Sequence, residues 1–306
     1  MNRWLKRLGY AVGGLVGLVL TAAAFVYGFS EMRYRKQYAV ASPTLAMPAD
    51  TIALARGAHL ANSIAGCVDC HGDNLGGKAI FDVPILGRVY GLNLTSGKGG
   101  VGGALTDADF ERAIRHGVAP TGRALKVMPA NDYTNLSDQD LAAIVAYLKS
   151  RPPVDNNPPA VSVGPLGRAL MLAGKMPMLD AERIDHARLH LASVSPAPTA
   201  EYGGYLASVG CKGCHGPTLA GGPIATGDPS WPPAANLTPS GNLKKWTEED
   251  FRRVLREGKR PNGILVNAAM PFRQLKHLTD DEIHSIWIYL QSLPAAPTPG
   301  LQTASR

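Results

Sequence analysis

The sequence is short of cysteine, with four in 306 residues. All four fall in two runs, Cys67-Val68-Asp69-Cys70-His71 and Cys211-Lys212-Gly213-Cys214-His215. None remains for a structural disulfide, which excludes a disulfide-stapled scaffold and leaves the fold to packing. Strand signals are almost absent as well, so an all-α protein is predicted. Charge is missing altogether from Leu8 to Ser30, a span of 23 positions. Basic excess is scarce outside the N-terminus: the first 47 residues carry +5 of the net +7, six basic residues against Glu31. That distribution excludes nucleic-acid binding, because no basic face remains on the nearly neutral rest of the chain.

What is present is a doubled motif. Two thiols three residues apart, with a histidine directly after, are what covalent attachment of a c-type haem requires. The sulfurs form thioethers with the porphyrin's vinyl carbons, and the adjacent imidazole meets one face of the iron. Cys67, Cys70, Cys211 and Cys214 are therefore read as attachment points, with His71 and His215 as iron ligands, for two covalently bound haems c. A structural zinc site wants its second cysteine pair within tens of residues, whereas 144 residues separate these runs. A thioredoxin-like pair needs no histidine after it, and here one follows twice.

The rest of the chain repeats around these motifs. Gly57-Ala58-His59-Leu60-Ala61 matches Gly203-Gly204-Tyr205-Leu206-Ala207 at an offset of 146, and Asn93-Leu94-Thr95 matches Asn236-Leu237-Thr238 at 143. Thr106 to Phe110 matches Thr247 to Phe251 at 141, and Leu136-Ser137-Asp138 matches Leu278-Thr279-Asp280 at 142. The order of elements never changes, so this is a tandem duplication. Each copy reads as three main helices separated by long Gly/Pro-rich loops. The closing helices carry Leu141, Ile144, Val145 and Leu148, and Ile283, Ile286, Trp287 and Leu290, spaced i, i+3, i+4, i+7. Starts are marked by Thr106/Asp109, Ser137/Asp140, Thr247/Asp250 and Thr279/Glu282; only the last has the full capping-box composition. Pro152-Pro153 and Pro294 stop the closing helices. Loops this long suit a domain whose core is completed by a large planar cofactor. The expected division is an anchor and flank at 1–47, a first haem domain at 48–153, a linker at 154–197, a second haem domain at 198–296, and a tail at 297–306. Within the linker, Pro152 to Pro165 reads as extended and Leu166 to Lys175 as a short helix.

As a helix, the uncharged run from Leu8 to Ser30 reaches about 34 Å, enough to cross a bilayer. Arg3, Lys6 and Arg7 precede it, Arg33, Arg35 and Lys36 follow, and Trp4, Tyr10, Tyr27 and Phe29 sit near its ends. Cleaved signal cores run only about 7–15 residues, so an uncleaved N-terminal transmembrane helix is expected. Gly9, Gly13 and Gly17 share one face of it, a pattern that lets a partner helix approach.

The second axial position of each iron decides what a haem does. Met128-Pro129 follows His71 by 57 residues, and Met270-Pro271 follows His215 by 55, each just ahead of a closing helix. A methionine filling a core gap explains one such residue but not two in matching places. Met128 and Met270 are therefore the expected thioether ligands, with Met171, Met176 and Met178 in the linker as a fallback for the first haem. His59, His116, His277 and His284 have no histidine counterpart in the other copy and are read as packing or surface residues. His186 and His190, four apart, lack further metal ligands. Backbone carbonyls near Pro84-Ile85 and Pro223-Ile224 are expected to orient the two ligand imidazoles. Asn93, Thr95, Asn236, Thr238 and Trp246 are expected near the propionates.

The order helix glycine, Cys-x-x-Cys-His, Met and closing helix with Tyr147 or Tyr289 resembles the class I cytochrome c domain. The finer pattern over about 48–295 is similar to membrane-associated dihaem cytochromes c and to cytochrome subunits of periplasmic alcohol, aldehyde and sugar dehydrogenases. Its pieces are Asn-Leu-Thr followed by glycines, Thr-x-x-Asp-Phe, Met-Pro, and Leu136-Ser137-Asp138-Gln139-Asp140-Leu141. Those subunits commonly carry three haem domains and a C-terminal anchor; this sequence shows two and an N-terminal apolar segment. The resemblance implies two tandem class I domains, haem maturation outside the bacterial cytoplasmic membrane, and a single-pass protein with its haem domains in the periplasm. It implies an electron carrier rather than an enzyme, with a periplasmic dehydrogenase as donor and an oxidase, soluble cytochrome or quinone as acceptor. Alternatives are the dihaem subunit of a cbb3-type haem-copper oxidase, a dihaem peroxidase, or a c-type thiosulfate dehydrogenase.

Overall fold

A glycine decides how each repeat closes. The computed structural model describes residues 3–41, 45–224, 227 and 230–300. In the first repeat, α2 (Thr51–Asn62) crosses α6 (Asp138–Ser150); in the second, α8 (Ala200–Gly210) crosses α12 (Asp280–Ser292). A Cβ on Gly57 would stand 2.0 Å from the Ala143 carbonyl oxygen, and one on Gly203 would stand 1.9 Å from that of Ser285. Backbones meet at both crossings, so only glycine fits. The apolar i, i+3, i+4, i+7 faces then bury Leu141, Ile144, Val145 and Leu148 in one copy and Ile283, Ile286 and Leu290 in the other.

Short helices carry the haem motifs: α3 (Cys67–His71) and α9 (Lys212–His215). The amphipathic helices α4 (Asp107–His116) and α10 (Glu248–Glu257) follow, and then the one-turn helices α5 (Ala130–Tyr133) and α11 (Phe272–Leu275). Three of the expected helix starts, at Thr106, Thr247 and Thr279, close as reciprocal capping boxes, so Asp serves as well as Glu at the third position. The fourth is one-sided. Ser137 accepts from the Asp140 N–H, but the Asp140 carboxylate faces Arg56 and Tyr205 instead.

The all-α expectation needs a correction. Strands β1 (Ala79–Val83) and β2 (Gly87–Tyr90) form an antiparallel hairpin, and β3 (Ser162–Val163) from the linker adds to β2. The strands are too short, and β1 too exposed, to leave a period-2 pattern in the sequence. The linker helix is α7 (Pro165–Leu172), preceded by extended chain. Helix α1 (Arg3–Arg35) is long and apolar enough to cross a membrane, and its apolar stretch is unburied. Apart from the helix's own backbone and chain neighbours, nothing lies within 4 Å of where a Cβ on Gly9, Gly13 or Gly17 would be.

The repeats share one continuous apolar core. They also meet through polar side chains at matching repeat positions, since Arg56 corresponds to Tyr202, His59 to Tyr205, and Asp140 to Glu282. Arg56 donates to both Asp140 oxygens (3.0 and 3.1 Å) and to Glu282 (3.2 Å), while His59 lies 2.7 Å from Glu282. The Tyr202 hydroxyl donates to Glu282 (3.2 Å) and that of Tyr205 to Asp140 (2.7 Å). Burial works against ionising Glu282, yet hydrogen bonds from His59 and the Thr279 N–H hold its carboxyl down at about 2. Burial likewise disfavours the Arg56 charge, and the Asp140 hydrogen bond and charge together with Tyr202 outweigh it. A second, smaller core joins the end of α1 to the linker through Tyr34, Val163, Met171, Met178 and Leu179.

Candidate haem sites

Each motif helix ends at a glycine with positive φ, Gly72 (80°) and Gly216 (79°), followed three residues later by a leucine forced into the left-handed region, Leu75 (60°) and Leu219 (59°). A non-glycine residue there is strained. Both leucines are fully buried, and their carbonyls accept from the Leu94 and Leu237 N–H groups at 2.8 Å in each copy. The turn brings the strand of chain ahead of Asn93 and Asn236 back against the motif. His71 Nδ1 then donates to the Leu92 carbonyl (2.8 Å) and His215 Nδ1 to that of Ala235 (2.7 Å). A carbonyl accepts only, so the proton sits on Nδ1 and the Nε2 lone pair is free for a metal. Burial lowers both histidines, which keeps the rings neutral.

These acceptors correct the expectation of carbonyls near Pro84-Ile85 and Pro223-Ile224. Ile85 lies at the hairpin tip, where its carbonyl accepts from the Leu166 N–H (3.0 Å), and Ile224 lines the second cleft. The signal was in the sequence: the acceptor is the residue just before each Asn-Leu-Thr. That triplet serves the fold. Asn93 Oδ1 accepts from the Thr95 N–H and hydroxyl, and its Nδ2 donates to the Val154 and Asn156 carbonyls. Asn236 binds Thr238 in the same way and donates to the Ala296 carbonyl and the Thr298 hydroxyl. Both pin the chain leaving the closing helix, so these four side chains are committed to the protein rather than aimed at a propionate. Trp246 lines the second cleft.

The Met-Pro segments match in detail. Pro129 (φ −79°, ψ 54°) and Pro271 (φ −79°, ψ 52°) each centre an inverse γ-turn, in which the next residue's N–H donates to the methionine carbonyl at 2.8 Å. Cys67, Cys70, His71 and Met128 share the walls of a cleft made of two adjoining cavities of about 370 and 40 Å³. Cys211, Cys214, His215 and Met270 line one of about 220 Å³. Leu94, Phe110 and Ile114 supply apolar walls in the first, and Trp246, Leu255 and Leu290 in the second. All four cysteines are unpaired. Burial pushes the Cys67 and Cys211 thiols up to about 12, the opposite of a reactive or zinc-binding thiolate. The donor set and the apolar walls fit a planar macrocycle bonded at one edge and ligated on both faces. Met171 and Met178 are buried in the anchor–linker core instead, which retires the linker fallback.

No other histidine lines either cleft, and His277 is exposed. His116 Nδ1 donates to His186 Nδ1 (3.0 Å), whose Nε2 donates to the Ala181 carbonyl, and His190 Nδ1 donates to the Thr134 carbonyl (3.0 Å). Among the described residues no three His, Cys, Asp or Glu side chains gather on a metal point. His284 contacts Glu248, and His59 joins the repeats, a role its sequence position did not reveal.

The repeats also touch at the motifs themselves. Asp132 on α5, just after the first Met-Pro, lies where a Cβ on Gly213 would collide with its carboxylate (2.1 Å), and Ile64 packs against Gly210. Burial, with Asp180 beside it, raises the Asp132 carboxyl to about 7. The second motif therefore abuts the loop that presents Met128.

This geometry, repeated twice, agrees with the comparison to known families. The model of the family described as cytochrome c oxidase, cbb3-type, subunit III matches residues 53–148 and again 198–290. The chain belongs to that family. Membership implies covalently bound haem c, and it accounts for the two clefts as cytochrome c-type domains. The chain is similar to the cytochrome c subunit of the quinone alcohol dehydrogenase of Gluconacetobacter polyoxogenes, 27% identical over 81% of this chain and 58% of that protein. The fructose dehydrogenase cytochrome subunit of Gluconobacter japonicus is 29% identical over 87% of this chain and 58% of its own length. The gluconate 2-dehydrogenase cytochrome c subunit of Pantoea cypripedii is 30% identical over 78% and 59%. The chain thus spans a little under three fifths of the curated relatives it matches. Each of these relatives is named as the cytochrome subunit of a dehydrogenase.

Proposed function

We propose that the chain is a membrane-anchored dihaem cytochrome c that relays electrons in the periplasm from a dehydrogenase to a respiratory acceptor. The observation that carries this reading is the twofold recurrence of one donor set: two half-buried thiols, an imidazole locked as the Nδ1–H tautomer, and a Met-Pro γ-turn on the same cleft. One haem per repeat would be held through Cys67 and Cys70, and through Cys211 and Cys214. Bound there, the cofactor supplies a one-electron iron couple. His71 and Met128, or His215 and Met270, would hold the iron, and the bound group would pass electrons rather than turn over a substrate. The Leu92 and Ala235 carbonyls keep each imidazole from rotating and make it a better electron donor to the metal. Apolar walls exclude water and favour the reduced state, as does the thioether.

Contact between the second motif and the Met128 segment supports transfer from one centre to the other within the chain. The dehydrogenase-subunit relatives support a dehydrogenase donor; an oxidase, a soluble cytochrome or a quinone is the acceptor. Helix α1 would cross the cytoplasmic membrane once and leave both domains on the periplasmic side. The family description favours a second reading, the dihaem subunit of a cbb3-type oxidase. Purification from detergent-solubilised membranes tests both: a co-purifying dehydrogenase supports the first reading, and haem-copper subunits support the second. A pyridine haemochrome yield of one porphyrin per chain would overturn the dihaem assignment.

A further inference from the structure

The β1–β2 hairpin lines the first cleft with Ile80, Val89 and Tyr90, but its tip lines neither cleft and is apolar and exposed. Val83 is 42% exposed, Ile85 57%, and Leu166 on the adjoining α7 41%. The second repeat has no such hairpin among the described residues. Three contacts fix where this tip lies along α1. Arg168 on α7 donates to the Ser30 hydroxyl (2.6 Å) and stacks 4.7 Å from the Tyr27 ring. One turn later, the Met171 carbonyl accepts from Arg33 (3.2 Å). Helix α7 therefore starts toward Tyr27, on the side of the apolar stretch, and ends toward the basic residues that follow it. Leu166, in its first turn, donates its N–H to the Ile85 carbonyl (3.0 Å), which ties the hairpin tip to that level.

We propose that Val83, Ile85 and Leu166 form an interfacial wedge that enters the boundary between headgroups and acyl chains of the bilayer crossed by α1. This rests on the reading of α1 as a membrane span. The occupant follows from position: the tip is hydrogen-bonded to the first turn of α7, whose Arg168 lies over the Tyr27 and Tyr34 rings (4.7 and 5.0 Å), at a level where interfacial aromatics belong. Arg33, Arg35 and Lys36 directly beyond end the apolar stretch. A second point of insertion beside the span would fix the tilt and rotation of the first repeat, which a lone helix leaves free.

The test uses the full-length holoprotein in nanodiscs of phosphatidylethanolamine and phosphatidylglycerol. With the native cysteines committed to thioethers, an introduced one is the free thiol that takes a nitroxide label. Labels go on Ile85→Cys, on Leu18→Cys as a span control, and on Ile264→Cys, an exposed site in the second repeat; Val83→Cys replaces Ile85→Cys if that variant does not mature. The readout is accessibility to oxygen relative to a water-soluble nickel complex. The expected result is a ratio at Ile85→Cys several-fold above that at Ile264→Cys, corresponding to a depth of about 5–10 Å. If Leu18→Cys favours oxygen but Ile85→Cys favours nickel, the wedge is wrong and the span stands. A label at Ile85→Cys reached by neither reagent also overturns it, since a protein partner then covers the tip. If Leu18→Cys favours nickel, the span falls and the wedge with it.

Discussion

The two repeats hold the same cleft by different means. In the first, the residue ahead of Met128 is Val127, a β-branched side chain at φ 68°, and its N–H donates to the Met178 carbonyl of the linker (2.8 Å). In the second, the segment braces itself: Asn267 accepts from the Ala269 N–H through its side chain and from the Met270 N–H through its carbonyl. The first repeat also carries the hairpin, the linker strand and the packing onto α1, while the second exposes Ile264 and Leu265 at its outer loop. One copy has become the mount and the other has kept a free outer end. Both copies keep the cysteines, histidine and methionine on the cleft walls, while the segments around them differ.

That comparison is open to direct tests. The largest effect belongs to the motifs: Cys67→Ala with Cys70→Ala, or Cys211→Ala with Cys214→Ala, is expected to halve covalent haem by pyridine haemochrome. A retained full yield in either variant would break the symmetry. Met128→Ala and Met270→Ala are next, and each should leave haem covalently bound while lowering one of two couples in a redox titration. Met178 also buries its side chain in the core that Val127 packs against, so Met178→Ala, which keeps the carbonyl but removes that packing, is expected to broaden or shift the couple that Met128→Ala moves and to leave the other alone.

Smaller effects concern stability. Gly57→Ala and Gly203→Ala put a methyl inside a helix crossing and should each cost about 1–3 kcal/mol or more, read as a drop in melting temperature. Acid should loosen the joint between repeats. Glu282 has a native carboxyl depressed from 4.5 to about 2, so its contribution is complete above 4.5 and is lost as pH falls toward about 2. Glu282→Gln should flatten that part of the stability–pH curve. Thr106→Ala and Thr247→Ala remove equivalent caps and are expected to cost about 1 kcal/mol each; unequal losses would show that one copy holds α4 or α10 more firmly.

Much of this was legible because it repeats. Paired offsets exposed the duplication, the closing helices and the two Met-Pro segments, and helix periodicity placed α6 and α12. What escaped depends on contacts far apart in sequence. The hairpin was invisible because strands of four or five residues with an exposed face carry no periodic signature. The Leu92 and Ala235 carbonyls were missed because any residue supplies a carbonyl, and only the buried left-handed Leu75 and Leu219 aim them. The place of His59 follows from a carboxylate 223 residues away.

The third residue of α12 has two duties. Glu282 accepts from the Thr279 N–H at the helix start and, with the same carboxylate, receives Arg56 and His59 from the other half of the chain. A second half expressed by itself would begin its last helix with an acid stripped of Arg56 and His59, against a surface now wetted. Proteolytic separation of the halves would therefore not release two intact miniatures; it would unravel first at the helix behind Met270.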